Sequence, residues 1–186
     1  MSVRVIAGDL RSRELRVPAG LATRPTAARV RQAVFSMLRD VSALHVLDLY
    51  AGSGALGIEA LSRGAESAVF VERDRAALDC IRANVAKLGL AERATVLPVR
   101  VEQASAALSV VARFDLVFCD PPWSEVQQVT QVLARLRPLF KSDARLVFEH
   151  ATRDKISIEG FAELDRRTWG DTGVTFFELL ETPPDV

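Results

Sequence analysis

Cysteine is scarce: Cys80 and Cys119 are the only two, each in an apolar stretch. A disulfide scaffold is excluded, and two reduced core thiols are expected. Histidine is as scarce, with only His45 and His150, far apart in the chain. No spacing of His and Cys suits a metal, so no metal site is expected. No apolar run is long enough to span a bilayer. The start, Met1-Ser2-Val3-Arg4, lacks the apolar segment of a signal peptide, and a cytoplasmic protein is expected. Net charge is absent as well, since 24 Lys and Arg balance 24 acids. That balance conceals an asymmetry. Residues 1–40 hold eight arginines and three acids, whereas the rest holds sixteen Lys and Arg against twenty-one acids. A basic arm on an acidic body fits contact with a polyanion at the N-terminal end, or equally a solvated arginine-rich surface.

What is present is apolar material, 49% of 186 residues, enough for one α/β domain with a short extension. Residues 4–8 and 13–18 read as short strands around a polar turn. Thr26 is placed to cap a helix running to about residue 39, with Val30, Val34, Met37 and Leu38 on one face. From residue 44 strands and helices alternate. Strands are predicted at 45–50, 67–72, 94–99, 115–119 and 145–149. Helices are predicted at 55–63, 74–88, 102–111 and 125–136. Two further strands, 161–168 and 174–180, flank the turn Gly170-Asp171-Thr172-Gly173. The alternation predicts a doubly wound, mainly parallel sheet, with ligands at the carboxyl ends of its strands.

The first such end carries Asp48-Leu49-Tyr50-Ala51-Gly52-Ser53-Gly54-Ala55-Leu56-Gly57. Gly52, Gly54 and Gly57 match a dinucleotide fingerprint, with Glu72 at the end of the next strand as a ribose acid. An NAD-dependent oxidoreductase therefore competes here. Asp48 argues for S-adenosylmethionine instead. A carboxylate ahead of the glycines repels a pyrophosphate and attracts an ammonium and a sulfonium. Glu72 serves either cofactor.

The fourth strand of this series ends in Asp120-Pro121-Pro122-Trp123. Prolines lack an N–H and fix the backbone, so their carbonyls are offered as acceptors. The Asp120 carboxylate and the Pro121 carbonyl suit the two N–H groups of an exocyclic base amine, and Trp123 suits a stacked base. A rigid Pro-Pro turn with a packed Trp is the plain alternative. Cys119 raises a thiol route to cytosine C5, which the apolar setting of that cysteine disfavours.

These residues bring a family into view. The chain resembles the RsmD family, bacterial methyltransferases acting on N2 of a guanine in 16S ribosomal RNA. The resemblance rests on Arg4-Val5-Ile6-Ala7-Gly8, on Arg24-Pro25-Thr26 through Arg29-Val30-Arg31 to Phe35, and on Asp48 through Ala60. It continues in Val71-Glu72-x-Asp74, Asn84 and Asp120-Pro121-Pro122. It implies a seven-stranded class I methyltransferase fold over residues 23–186, preceded by an N-terminal β-hairpin and basic arm over residues 1–22. It implies S-adenosylmethionine held by Asp48, Tyr50, Ala51, Gly52, Ser53, Gly54, Gly57, Glu72, Arg73, Val101 and Glu102. Asp120, Pro121, Pro122 and Trp123 would be catalytic. Arg4, Arg11, Arg13, Arg24, Thr26, Arg29 and Arg31 would meet 16S rRNA in the assembling 30S subunit, with a monomer as the working state. The sequence departs from the family at Val101, where an acidic or amide residue is usual, and at Trp123, where Phe or Tyr is. The adenine contact then falls to a backbone amide or to Glu102. An amino-methyltransferase acting on adenine N6, or on other RNA or DNA, shares the Asp120–Trp123 motif.

Overall fold

The computed structural model describes residues 3–19, 25–111 and 113–180. A short antiparallel pair, β1 (Val3–Arg4) and β2 (Glu14–Leu15), opens the chain. It is shorter than expected, because the polar segment between them turns back onto the body. Helix α1 (Pro25–Leu38) follows. It starts one residue before the expected cap: Thr26 lies inside the helix, behind Pro25, whose fixed φ suits a first helical position. Arg24 and the boundary expected between residues 22 and 23 lie outside the described residues.

The body alternates as expected: β3 (His45–Leu49), α2 (Ala55–Ser62), β4 (Ser67–Val71), α3 (Arg75–Leu88), β5 (Ala94–Leu97), α4 (Ser105–Leu108), β6 (Phe114–Cys119), α5 (Val126–Leu136), β7 (Phe140–Ala151), β8 (Phe161–Trp169) and β9 (Thr172–Leu179). The helix expected at 102–111 is instead a 3-10 turn, Val101–Gln103, followed by the single turn α4. Strand β7 is much longer than the expected 145–149. Its pairing with β6 jumps from Phe114↔Phe140 to Leu116↔Arg145, an irregularity that absorbs the polar residues between.

The sheet order is β5-β4-β3-β6-β7-β9-β8. Strands β5 to β7 in that order are parallel, and β9 and β8 add antiparallel. The fold is therefore the class I methyltransferase architecture. Val46, Leu47 and Leu49 are all fully buried, as a central parallel strand covered on both faces requires. One core joins Val34, Phe35, Ile58 and Ile81 of the helices to Phe70 and Phe118. The other joins Leu108, Val129 and Leu133 to Leu47, Val117 and Phe148. The chain winds outward from β3 to β5 and then returns to β6, so the sheet changes direction between β3 and β6. Loops leaving these two strands diverge and open a crevice there.

The N-terminal pair is tied down by buried polar groups. Glu59 of α2, fully buried, accepts N–H bonds from Ile6 (2.7 Å) and Ala7 (3.0 Å) and pairs with Arg63 Nε at 2.7 Å. Ser62 Oγ donates to the Ala7 carbonyl and accepts from Leu10 N. Asn84 of α3, also fully buried, exchanges two bonds with the Arg16 backbone and donates to the Ser53 carbonyl at 3.1 Å. One amide thus links the arm to the glycine-rich turn.

Candidate active site

The turn after β3 reverses the chain through Tyr50 (φ 59°), Gly52 (φ 56°) and Gly54 (φ 77°). A left-handed Tyr is uncommon and costs energy, a feature that gathers at functional sites. The turn is braced against β4: Ala51 N donates to the Val71 carbonyl, and Gly52 N to Glu72 Oε2 at 2.8 Å. Asp48 is 2% exposed, and its Oδ2 accepts from Gly57 N at 2.9 Å. Desolvation pushes its carboxyl up to about 8, with Asp120 and Glu72 adding like charge and the Gly57 bond opposing. Gly57 has a packing role, since a Cβ there would stand 2.4 Å from the Phe70 ring.

Glu72 Oε1 accepts from Arg73 N (2.7 Å) and Asp74 N (2.8 Å). The carboxylate is thus fixed by three backbone donors, and Oε2, with one, keeps acceptor capacity. Beside it a small hollow is lined by Tyr50, Glu72, Val99, Val101 and Glu102. Val101 is 3% exposed and packs in the core, so its side chain offers this hollow only an apolar edge. Glu102 accepts from Tyr50 Oη at 3.3 Å. Desolvation, then Cys119 and Glu102, raises the Tyr50 phenol and keeps it protonated. Arg73 pairs with Glu125 at 2.9 Å, bridging the ends of β4 and the turn before α5.

After β6, Asp120 N reaches the Leu49 carbonyl at 3.5 Å, and Pro121 is buried while Pro122 is exposed. Of the two proline carbonyls expected as free acceptors, that of Pro122 is taken by Glu125 N at 2.8 Å. The Pro121 carbonyl takes no hydrogen bond from a described residue. Trp123 is partly exposed and begins a 3-10 turn. Asp120 is exposed at the crevice, yet enough protein surrounds its carboxyl that desolvation raises it to about 6. Cys119 is buried, and desolvation, then Asp120 and Asp48, lift its thiol well above the ordinary value. A thiolate nucleophile is disfavoured there.

A cavity of about 190 Å³ brings together part of this set; Glu72, Arg73, Val101 and Glu102 line the separate hollow, and Pro121, Pro122 and Trp123 line neither. Asp48, Tyr50, Ala51, Gly52 and Ser53 form one wall, and Cys119 and Asp120 another. Gly54 and Gly57 lie beneath the turn, both buried. The remaining wall was not expected: Val30, Arg31 and Val34 from α1, and Val147, Glu149 and Val174 from β7 and β9. The polar signal in this set, Glu149 at a strand end, was readable in principle. The valines carry no local signal.

Arg31 corrects the expected RNA surface. It is 8% exposed and donates to the Arg4 carbonyl at 2.7 Å, with Nε 4.0 Å from Glu59 Oε2 and no hydrogen-bond partner. Desolvation lowers its pKa, Glu59 opposes this and Arg63 adds to it. It braces the arm and cannot reach out to a phosphate. Arg4 is exposed but paired with Glu14 at 2.6 Å. Arg11, Arg13 and Arg29 are exposed.

The model of the family described as "Conserved hypothetical protein 95" matches residues 3–178. The ribosomal RNA small subunit methyltransferase D of Haemophilus influenzae is 32% identical over 185 residues, 96% of this chain and 93% of its own length. The Bacillus subtilis rRNA methyltransferase candidate YlbH is 35% identical over 182 residues, 95% of this chain and 98% of its own. Among solved structures, the Escherichia coli methyltransferase candidate yhhF superimposes with a TM-score of 0.79 at 29% identity, over 96% of this chain and 98% of that one. Matched from hairpin to last strand, the chain belongs to the RsmD family of methyltransferases.

Proposed function

We propose that this protein transfers a methyl group from S-adenosylmethionine to the exocyclic N2 of a guanine in 16S rRNA of the small ribosomal subunit. The observation that carries the reading is that Asp120 and the Asp48–Ser53 turn share one cavity. The donor set fits the cofactor. Asp48, Asp120 and Glu72 gather carboxyl groups at the carboxyl ends of the neighbouring strands β3, β6 and β4, where a cation is welcome and a pyrophosphate is not. The open lone pair on Glu72 Oε2 suits a ribose hydroxyl, and the hollow at Tyr50, Val99 and Glu102 suits an adenine edge. Bound there, S-adenosylmethionine supplies an electrophilic methyl on a cationic sulfur.

The residues of the chain do the rest. An exocyclic amine is a weak nucleophile because its lone pair is delocalised into the ring. Asp120 and the Pro121 carbonyl accept one N–H each, which favours a pyramidal nitrogen with its lone pair directed at the methyl. The amine nitrogen would turn cationic on accepting that methyl in exchange for the sulfur, and Asp120 is placed to take its departing proton. Trp123 stacks on the extruded base. The names of the relatives support ribosomal RNA as the substrate, and the exposed Arg11, Arg13 and Arg29 supply charge for its backbone.

The test is product identification. The protein is incubated with labelled S-adenosylmethionine and, separately, unmodified small subunits, naked 16S rRNA and duplex DNA. Nucleosides are then resolved by mass spectrometry. N2-methylguanosine from the subunit or its RNA is expected. Methyl on adenine N6 or cytosine C5 would discard the base assignment, and label in DNA alone would discard RNA.

A further inference from the structure

The proposed chemistry uses two acceptors for the two N–H groups of N2. Guanine presents a third donor on the same edge, N1–H, and a pocket that buries this edge must answer it. Strands β6 and β7 are parallel neighbours in the register Phe118↔Val147 and Cys119↔Phe148. One step further along, that register sets Asp120 beside Glu149. Side chains alternate along both strands, so these two carboxylates lie on one face. Both line the cavity. The same cavity is lined by Arg31, more than nine-tenths buried, with its Nε turned to Glu59 at 4.0 Å. A cationic side chain in the wall beside two carboxylates suits a ligand edge bearing acceptors as well as donors, as the guanine edge with O6 beside N1–H does.

We infer that Glu149 is the residue that selects guanine, its carboxylate accepting N1–H while Asp120 holds the amine. The inference rests on the reading of the protein as a guanine-N2 methyltransferase. Its physical content is discrimination. A purine whose N1 is an acceptor sets a lone pair against the carboxylate and forfeits the bond, and a site built around a donor rejects the analogue lacking it. Glu149→Gln keeps the shape, weakens the bond to N1–H and offers an amide N–H to an acceptor N1.

The test uses small subunits reconstituted from 16S rRNA with a synthetic segment. The methylated position carries either guanine or 2-aminopurine, which keeps the 2-amino group but has an acceptor at N1. Single-turnover rates are compared for the wild type and Glu149→Gln, with Glu149→Asp as a variant that retains the carboxylate. Cofactor affinity and thermal midpoint serve as readouts of folding. The wild type should favour guanine strongly. Glu149→Gln should lose roughly 10- to 100-fold on guanine and lose much less, or gain, on 2-aminopurine, so that the preference collapses. Glu149→Asp should keep the preference for guanine. Equal loss on both bases in Glu149→Gln, or none on either, would overturn the inference while leaving the enzyme a guanine-N2 methyltransferase. Wild-type product on any other base would overturn the functional reading, and the inference with it.

Discussion

Asp120 holds its proton up to about pH 6 because protein crowds it. Its proposed work, accepting N–H and then a proton, needs the ionised form. The sign follows: the single-turnover rate at saturating S-adenosylmethionine should climb with pH to about 6 and level above it. Asp120→Asn should cost roughly 10²- to 10⁴-fold, leave cofactor affinity nearly intact and abolish that limb. A limb that persists in the Asn variant would assign the titration to another group. Asp48 behaves differently. Its folded value of about 8 lies above the ordinary 3.8. The folded chain therefore binds this proton more tightly than the unfolded chain. That stabilisation is complete below about pH 4 and is lost as pH rises toward 8. Asp48→Asn keeps an oxygen for Gly57 N and carries no charge. Its thermal midpoint should exceed that of the wild type at pH 8, the gap closing toward pH 5, while cofactor binding weakens. Parallel midpoints across that range would mean that Asp48 is ionised in the folded protein.

Helix α2 meets the sheet more closely than a helix with an ordinary side chain could. Helix propensity favours Ala over Gly by up to about 1 kcal/mol, so Gly57→Ala ought to stabilise an isolated helix. In the protein the new methyl would meet the Phe70 ring at 2.4 Å, and Phe70 is fully buried and cannot swing away. Overpacking costs about 1–3 kcal/mol, so packing should win and the melting point should fall by several degrees. A rise would show that α2 shifts freely. The same closeness explains what the sequence disclosed. Asp48, the glycines and Glu72 sit at strand ends where periodicity alone predicts a ligand, and Asp120 follows a strand that reads clearly as apolar. Arg31 did not read as buried. Its helical neighbours Ala28, Val34 and Phe35 are apolar, but an arginine is rarely buried without a partner, and only the tertiary approach of Glu59 and the Arg4 carbonyl supplies partners inside. Nor could β7 be measured in the sequence, since Lys141, Ser142 and Asp143 interrupt the apolar pattern while the strand carries on past them. Glu149 and the cavity valines of α1, β7 and β9 come together only through the sheet order.

At the scale of the whole molecule, the arm is part of the body rather than a loose tether. Glu59, Ser62 and Asn84 satisfy its backbone from inside. Its exposed arginines are therefore presented from a fixed frame, beside the helix that walls the cavity. That arrangement predicts a particular salt dependence. Each phosphate contact releases counterion, with a slope in log K against log salt of about −0.7 per contact for single strands and about −0.9 for a duplex. The triple variant Arg11→Ala, Arg13→Ala and Arg29→Ala should bind small subunits more weakly and flatten that slope by about 2, with cofactor affinity unchanged because none of the three lines the cavity. Arg31→Ala should do the reverse, lowering thermal stability through the loosened arm while leaving the slope as it was. If the triple variant kept the full slope, the basic surface of the arm would be solvated only, and the RNA backbone would be met elsewhere on the molecule.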